Sequence, residues 1–156
     1  MVESRLLREL KQSRPFASQA TEALLSILKT ADMVRSRTAA IFKERGLTVQ
    51  QYNVLRILRG ALPEGLPTLE IADRMVEKAP GITRLLDRLE SKGWVRRQRC
   101  PEDRRQVLCW ATPTALELLA ELDGPVNADE VATMAGLDAA EQAQLIELLG
   151  RLRASL

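Results

Sequence analysis

Histidine is absent from all 156 positions. Imidazole is the usual general base near neutral pH, so Ser-His-Asp and Cys-His chemistry are excluded. Cys100 and Cys109 are the only cysteines, too few for a four-ligand structural zinc site or a disulfide scaffold. The fold must therefore rest on its apolar core, and no catalytic residue, metal or cofactor is expected. Aromatic residues number five, so any pocket should be mainly aliphatic. No run approaches the roughly eighteen apolar residues that a membrane span needs. The opening Met1-Val2-Glu3-Ser4-Arg5 carries charge of both signs, so neither a membrane partner nor a targeting segment is expected, and a cytoplasmic location follows. With no phosphate-cradling glycine loop either, an enzyme is the least favoured class.

What is present matches an ordinary globular chain, 46% apolar and 28% charged, and the length fits one domain over residues 1–156. The net charge of +2 hides an uneven distribution. Residues 1–73 carry 11 basic and 8 acidic side chains, residues 74–105 carry 10 and 5, and residues 112–156 carry 2 and 8. A basic middle beside an acidic end points to a polyanionic partner for the middle alone.

Between residues 16 and 45, Leu24, Ile27, Leu28, Ala31, Val34, Thr38, Ile41 and Phe42 recur at three- and four-residue intervals, which predicts one long amphipathic helix. Such a helix would span roughly 45 Å, more than a domain this small can cover, so part of its stripe needs a second chain. A homodimer is expected. Residues 4–13 form a further short helix ahead of Pro15. Thr48-Val49-Gln50-Gln51 reads as a capping box opening a helix to about Gly60. Thr68 is expected to cap a short helix with Leu69, Ala72 and Met75 inward. Pro80 suits the first turn of the next helix, in which Ile82, Leu85, Leu86 and Leu89 form the buried face and Pro80, Arg84, Asp87 and Ser91 point away, with Thr83 and Arg88 flanking. Gly93 ends it. Segments 94–100 and 106–111 predict a hairpin with a charged tip at 101–105. A helix from Thr112-Pro113 should kink or break at Gly124-Pro125, and Asp138-Ala139-Ala140-Glu141 is a second capping box opening the last helix.

A short helix, a turn, a helix with a polar outer face and a basic hairpin outline a winged helix-turn-helix. The second helix of such a unit enters the major groove, and its first turn offers amides to phosphates. The hairpin reaches the neighbouring minor groove, where arginine is favoured. The stretch Gly81-Ile82-Thr83-Arg84-Leu85-Leu86-Asp87-Arg88-Leu89-Glu90-Ser91-Lys92-Gly93-Trp94-Val95, with Pro101-Glu102-Asp103-Arg104-Arg105 and Ala111-Thr112-Pro113, resembles the recognition helix, wing and following helix of the MarR family of bacterial transcriptional regulators. The resemblance implies a mainly α fold with a small β-hairpin wing. It also implies dimerisation helices at 1–46 and 112–156 around a DNA-binding lobe at 47–111. A homodimeric regulator, most often a repressor, would bind a pseudo-palindromic double-stranded DNA operator and be released by a small aromatic or phenolic molecule.

The residues expected to bind DNA are Lys78, Pro80, Gly81, Thr83, Arg84, Arg88, Arg97, Arg104 and Arg105. Thr83, Arg84 and Arg88 would read bases or hold phosphates, and Arg105 would insert in the minor groove. Arg96, Arg97, Arg99, Arg104, Lys78 and Lys92 would add phosphate contacts, with some merely solvated. Asp103 is expected to brace Arg105 or Arg97. Met33, Phe42, Tyr52 and Trp110 line an effector pocket, with Arg37 available to a carboxylate, or else serve only the core. Two readings compete with the operator-binding one: a winged helix used for protein contact, and a thiol switch at Cys100, whose neighbouring arginines would activate it. Folding the hairpin about residues 102–103 separates Cys100 from Cys109, so an internal disulfide is not expected.

Overall fold

The computed structural model describes residues 4–103 and 105–156. In chain order the elements are α1 (Arg5–Glu9), α2 (Gln19–Lys43), α3 (Val49–Arg59), β1 (Leu66–Pro67), α4 (Thr68–Arg74), α5 (Ile82–Ser91), β2 (Val95–Arg99), β3 (Val107–Ala111), α6 (Pro113–Met134) and α7 (Ala139–Arg153). The molecule is mainly helical, with one antiparallel sheet ordered β1-β3-β2.

Both capping boxes form. The Thr48 hydroxyl accepts from the Gln51 amide at 3.1 Å while Gln51 Oε1 accepts from the Thr48 amide at 3.0 Å. Asp138 and Glu141 make the same reciprocal pair at 2.9 Å each. Each box satisfies two amides that a helix start leaves without intrahelical partners, so the helices begin where the side chains dictate.

The core gathers around α3, whose Val54, Leu55 and Leu58 are fully buried. Ile71 of α4, Leu86 and Leu89 of α5, Val95 of β2 and Cys109 of β3 pack in the same cluster, which Phe42 of α2 and Leu119 and Leu122 of α6 complete. Burying each such leucine contributes about 1.5–3 kcal/mol relative to exposure. Packing of α5 against α4 and β2, with Leu86 and Leu89 buried, thus fixes the angle at which the outer face of α5 is shown to solvent. Apart from Ile41, which packs against it, the rest of α2 and all of α7 lie outside this cluster: Leu24 and Leu28 are more than half exposed, and α7 buries no residue.

Several expectations are corrected. Helix α5 starts at Ile82, not at Pro80, because Gly81 adopts φ +91°, a left-handed conformation that interrupts the helix and favours glycine. Thr68 does not cap α4: Pro67 occupies the cap position, and the Thr68 hydroxyl lies 3.9 Å from Cys109 Sγ instead. Pairing of Leu66 with Cys109 and of Pro67 with Leu108 draws that segment into a third strand that the sequence pattern does not announce. It turns Leu69 outward, 78% exposed, and gives its inward place to Ile71. Helix α6 runs through Gly124-Pro125 without a break. Proline removes only one hydrogen bond from the ladder, and Leu122 and Val126, buried on either side of it, hold both halves to the core. The first helix is five residues long, shorter than 4–13.

Candidate nucleic-acid interface

Arg84 is exposed on the side of α5 opposite Leu86 and Leu89, with Thr83 and Arg88 exposed on its flanks. Arg84 and Arg88 border a shallow hollow with Pro80, Gly81 and Gln50. Neither arginine forms an ion pair among the described residues, so both forks point to solvent. Lys78 is likewise exposed, in the turn before α5. Gln50 is a member of this group that the sequence pattern hides, since it is read there only as part of a capping box.

The wing follows at once. Gly93 takes φ +72° after α5, and the chain turns into β2, which pairs with β3 in the register Val95 to Ala111 through Arg99 to Val107. Thr83 at the start of α5 and Arg105 at the wing tip line one groove together with Leu69, Glu70, Gln106 and the partly buried Arg97. Arg104, also expected at the tip, lies outside the described residues. Asp103 does brace the tip, though among the described residues not by pairing with a guanidinium: its Oδ1 accepts from the Arg105 amide at 3.0 Å and its Oδ2 from Gln106 Nε2 at 3.2 Å. The guanidinium of Arg105 is thereby left for another partner.

Arg97 is turned inward. Its Nε donates to Glu90 Oε2 at 2.8 Å, and its Nη2 donates to the same oxygen at 2.5 Å and to Asp87 Oδ1 at 2.6 Å. Hydrogen bonding to Glu90 raises its pKa, partial burial opposes the rise, and Asp87 adds to it. The register explains the direction: Arg97 opposes Cys109 on the inner face, whereas Arg96 opposes Trp110 on the outer face and stacks over its ring at 4.1 Å. Lys92 is also engaged, donating to the Gly46 carbonyl at 2.5 Å with its ammonium 4.7 Å from the Trp94 ring centroid. Arg97 and Lys92, both expected as phosphate contacts, thus have partners within the chain.

The expected effector residues divide. Phe42 and Tyr52 stack at 4.2 Å between ring centroids and line a cavity of about 300 Å³ with Val49, Met75, Val76 and Val126. Burial pushes the Tyr52 hydroxyl pKa up. Met33 and Arg37 belong to a different groove, between α1, α2 and α6, and Arg37 is paired with Asp129. Trp110 lines neither; its Nε1 donates to the Pro63 carbonyl at 3.0 Å, which holds it at the root of the wing. The charged residues at the cavity are Arg56, Glu77 and Glu130. Buried Asn53 also borders the cavity and accepts the Val76 amide at 3.0 Å, tying the turn before α5 to α3.

Around the cavity, ion pairs join the flanking helices to the winged unit. Arg35 of α2 meets Glu77 in the α4–α5 turn at 2.8 Å. Arg59 of α3 makes a forked pair with Asp123 of α6 at 2.9–3.1 Å, which raises the Arg59 pKa. Arg45, just after α2, pairs with Glu121 of α6, a link between the flanking helices themselves. Exposed pairs of this kind contribute about 0–1 kcal/mol each, so they set orientation more than stability.

A three-stranded sheet behind a helix that exposes Arg84 and Arg88, with an arginine at the hairpin tip, defines a winged helix-turn-helix DNA-binding protein. The model of the MarR family matches residues 47–107. A MarR transcription factor from Planctomyces limnophilus is 43% identical over 87% of this chain and 98% of that one, with a TM-score of 0.68. At 20% identity the fold also matches the S. aureus MepR–DNA complex, over 86% of this chain and 97% of that one with a TM-score of 0.76. It matches Bordetella bronchiseptica BpsR, whose DNA binding is regulated by 6-hydroxynicotinic acid, at 20% identity over 90% of this chain and 98% of that one, again with a TM-score of 0.76. The chain belongs to the MarR family of transcription regulators.

Proposed function

We propose that this regulator is a repressor that binds a pseudo-palindromic operator as a homodimer and is released by a small aromatic or phenolic molecule. The observation that carries the DNA reading is the outward row of Thr83, Arg84 and Arg88 beside Arg105. In a twofold dimer the α5 helices of the two copies would enter major grooves about 34 Å apart, with each Arg105 in a flanking minor groove. MepR in its complex with DNA supports the same use of the fold.

Residues 1–46 and 112–156 serve association, and residues 47–111 serve DNA. Leu24 and Leu28 on α2 and Ile146, Leu148 and Leu152 on α7 are the exposed apolar side chains that a second copy would cover. The effector would enter the cavity beside Phe42 and Tyr52, whose volume falls at the small end of the roughly 300–1,000 Å³ common for ligand sites. Arg56 there suits the carboxylate of a small aromatic acid, and BpsR supports that ligand class. Met75, Val76 and Glu77 form one wall, and the same turn leads into α5. A ligand that prefers another position of this turn lowers operator affinity by that difference in binding energy.

The test is selection of bound fragments from random and genomic DNA at two salt concentrations. An enriched inverted repeat whose binding weakens steeply with salt is the expected result. Salt-insensitive binding without enrichment would favour a winged helix used for protein contact.

A further inference from the structure

Helix α5 carries four charged residues, Arg84, Asp87, Arg88 and Glu90, which cancel. A neutral helix is a poor match for a groove walled by phosphates, and a carboxylate on its outer face is repelled by them. Asp87 occupies that outer face, with 53% of its side chain exposed, and Glu90 is 40% exposed. A free aspartate there could also accept from cytosine N4 and so take part in base reading.

One side chain from the wing captures both acids. The Arg97 guanidinium spans them with three hydrogen bonds of 2.5–2.8 Å while remaining only 23% exposed itself. The cation lies inward and the anions outward, between helix and wing. This is the reverse of what a phosphate contact requires. With Arg97 counted, the helix face has a net positive charge carried by Arg84 and Arg88.

We infer that Arg97 is a positioning residue that neutralises Asp87 and Glu90, so that α5 meets DNA through Arg84 and Arg88 without opposition from its own carboxylates. The inference rests on α5 being the DNA-facing helix, as proposed above. It assigns Arg97 no DNA contact and Asp87 no base.

The experiment measures affinity for the duplex selected by the wild-type protein, and for an unrelated duplex, across a salt series. Arg97→Gln should weaken both by roughly tenfold, since repulsion is indifferent to sequence. Adding Asp87→Asn and Glu90→Gln should restore affinity to within about threefold of wild type, with base preference unchanged. If Arg97 instead held a phosphate or merely tethered the wing, the triple variant would stay as weak as the single one, and the inference would be overturned. A lost phosphate contact would also lower the slope of log K against log salt by about 0.9. Should Arg97→Gln fail to fold by circular dichroism, Asp87→Asn with Glu90→Gln on the wild-type background decides. Equal or tighter binding with the same base preference supports the inference, whereas a loss beyond about tenfold or an altered preference overturns it. Wild-type protein without salt-sensitive DNA affinity would overturn the operator reading as well. Wild-type binding without rescue overturns only the role of Arg97.

Discussion

Gly65 lies directly against the Trp110 indole: a methyl group on its α-carbon would sit 2.5 Å from Cε2 and Nε1 and 2.8 Å from the Cys109 carbonyl oxygen. Its φ of +74° is also one that a side chain disfavours. Trp110 is pinned from this side by the Pro63 carbonyl and from the other by Arg96, so the wing root has no room to give. Gly65→Ala should therefore destabilise the fold by roughly 2–4 kcal/mol through backbone strain and overpacking together. Urea unfolding measures it, and a change under about 0.5 kcal/mol would refute the packing argument.

Arg84 and Arg105 should fail differently when truncated. A guanidinium reading a base edge in the major groove contributes about 1–3 kcal/mol of discrimination, so Arg84→Ala should both weaken binding and relax preference at one position of each half-site. Arg105, held at the wing tip by the Asp103 turn, meets a minor groove that distinguishes bases poorly. Arg105→Ala should weaken binding to all sequences nearly alike. Competition with single-base operator variants separates the two patterns, and unchanged affinity for Arg105→Ala would end the wing assignment.

Much of this arrangement is legible in the residues. The helices with capping boxes and the α5 stripe of Ile82, Leu85, Leu86 and Leu89 are local patterns, and local patterns survive into the fold. The hairpin register that opposes Arg97 and Cys109 follows from folding the chain at its polar tip. What the pattern misses is set by partners distant in sequence. Strand β1 exists because Leu66 and Pro67 meet β3 some forty residues later, and that contact overrides Thr68 as a cap. Arg97 looks like a phosphate ligand until Asp87 and Glu90 are seen beside it. The expected effector set divides for the same reason: Met33 and Arg37 precede Phe42 on α2 and border another groove, and Trp110 faces the outer side of the sheet.

The two thiols should differ in reactivity. Cys109 is fully buried, and burial pushes its pKa up despite the nearby Thr68 hydroxyl. Cys100 is partly exposed, with its thiol donating to Glu102 at 3.1 Å, which lowers the Glu102 pKa. A thiol reagent should modify Cys100 promptly and Cys109 only when the fold opens, and Cys100→Ser should leave DNA affinity unchanged. Because the folded pKa of Cys109 is raised, its contribution to stability is full below the unfolded thiol value of about 8.5 and is lost as pH rises through the folded value. The stability advantage of the wild type over Cys109→Ala should accordingly shrink in alkaline buffer, and a gap that widens there would contradict the burial assignment.

Helix α7 caps itself through Asp138 and Glu141 yet buries none of its side chains, leaving Ile146 69% exposed and Leu148 49% exposed. The buried core ends at Val126. Removal of residues 138–156 should therefore take away association while sparing the winged unit, giving a folded monomer by sedimentation and a circular dichroism loss no larger than one helix. Since two half-sites held on one dimer bind far more tightly than either alone, operator affinity should fall steeply even though Arg84, Arg88 and Arg105 are untouched. A truncated chain that stays dimeric would assign association to α2 alone, and Leu24 and Leu28 would become the side chains to replace.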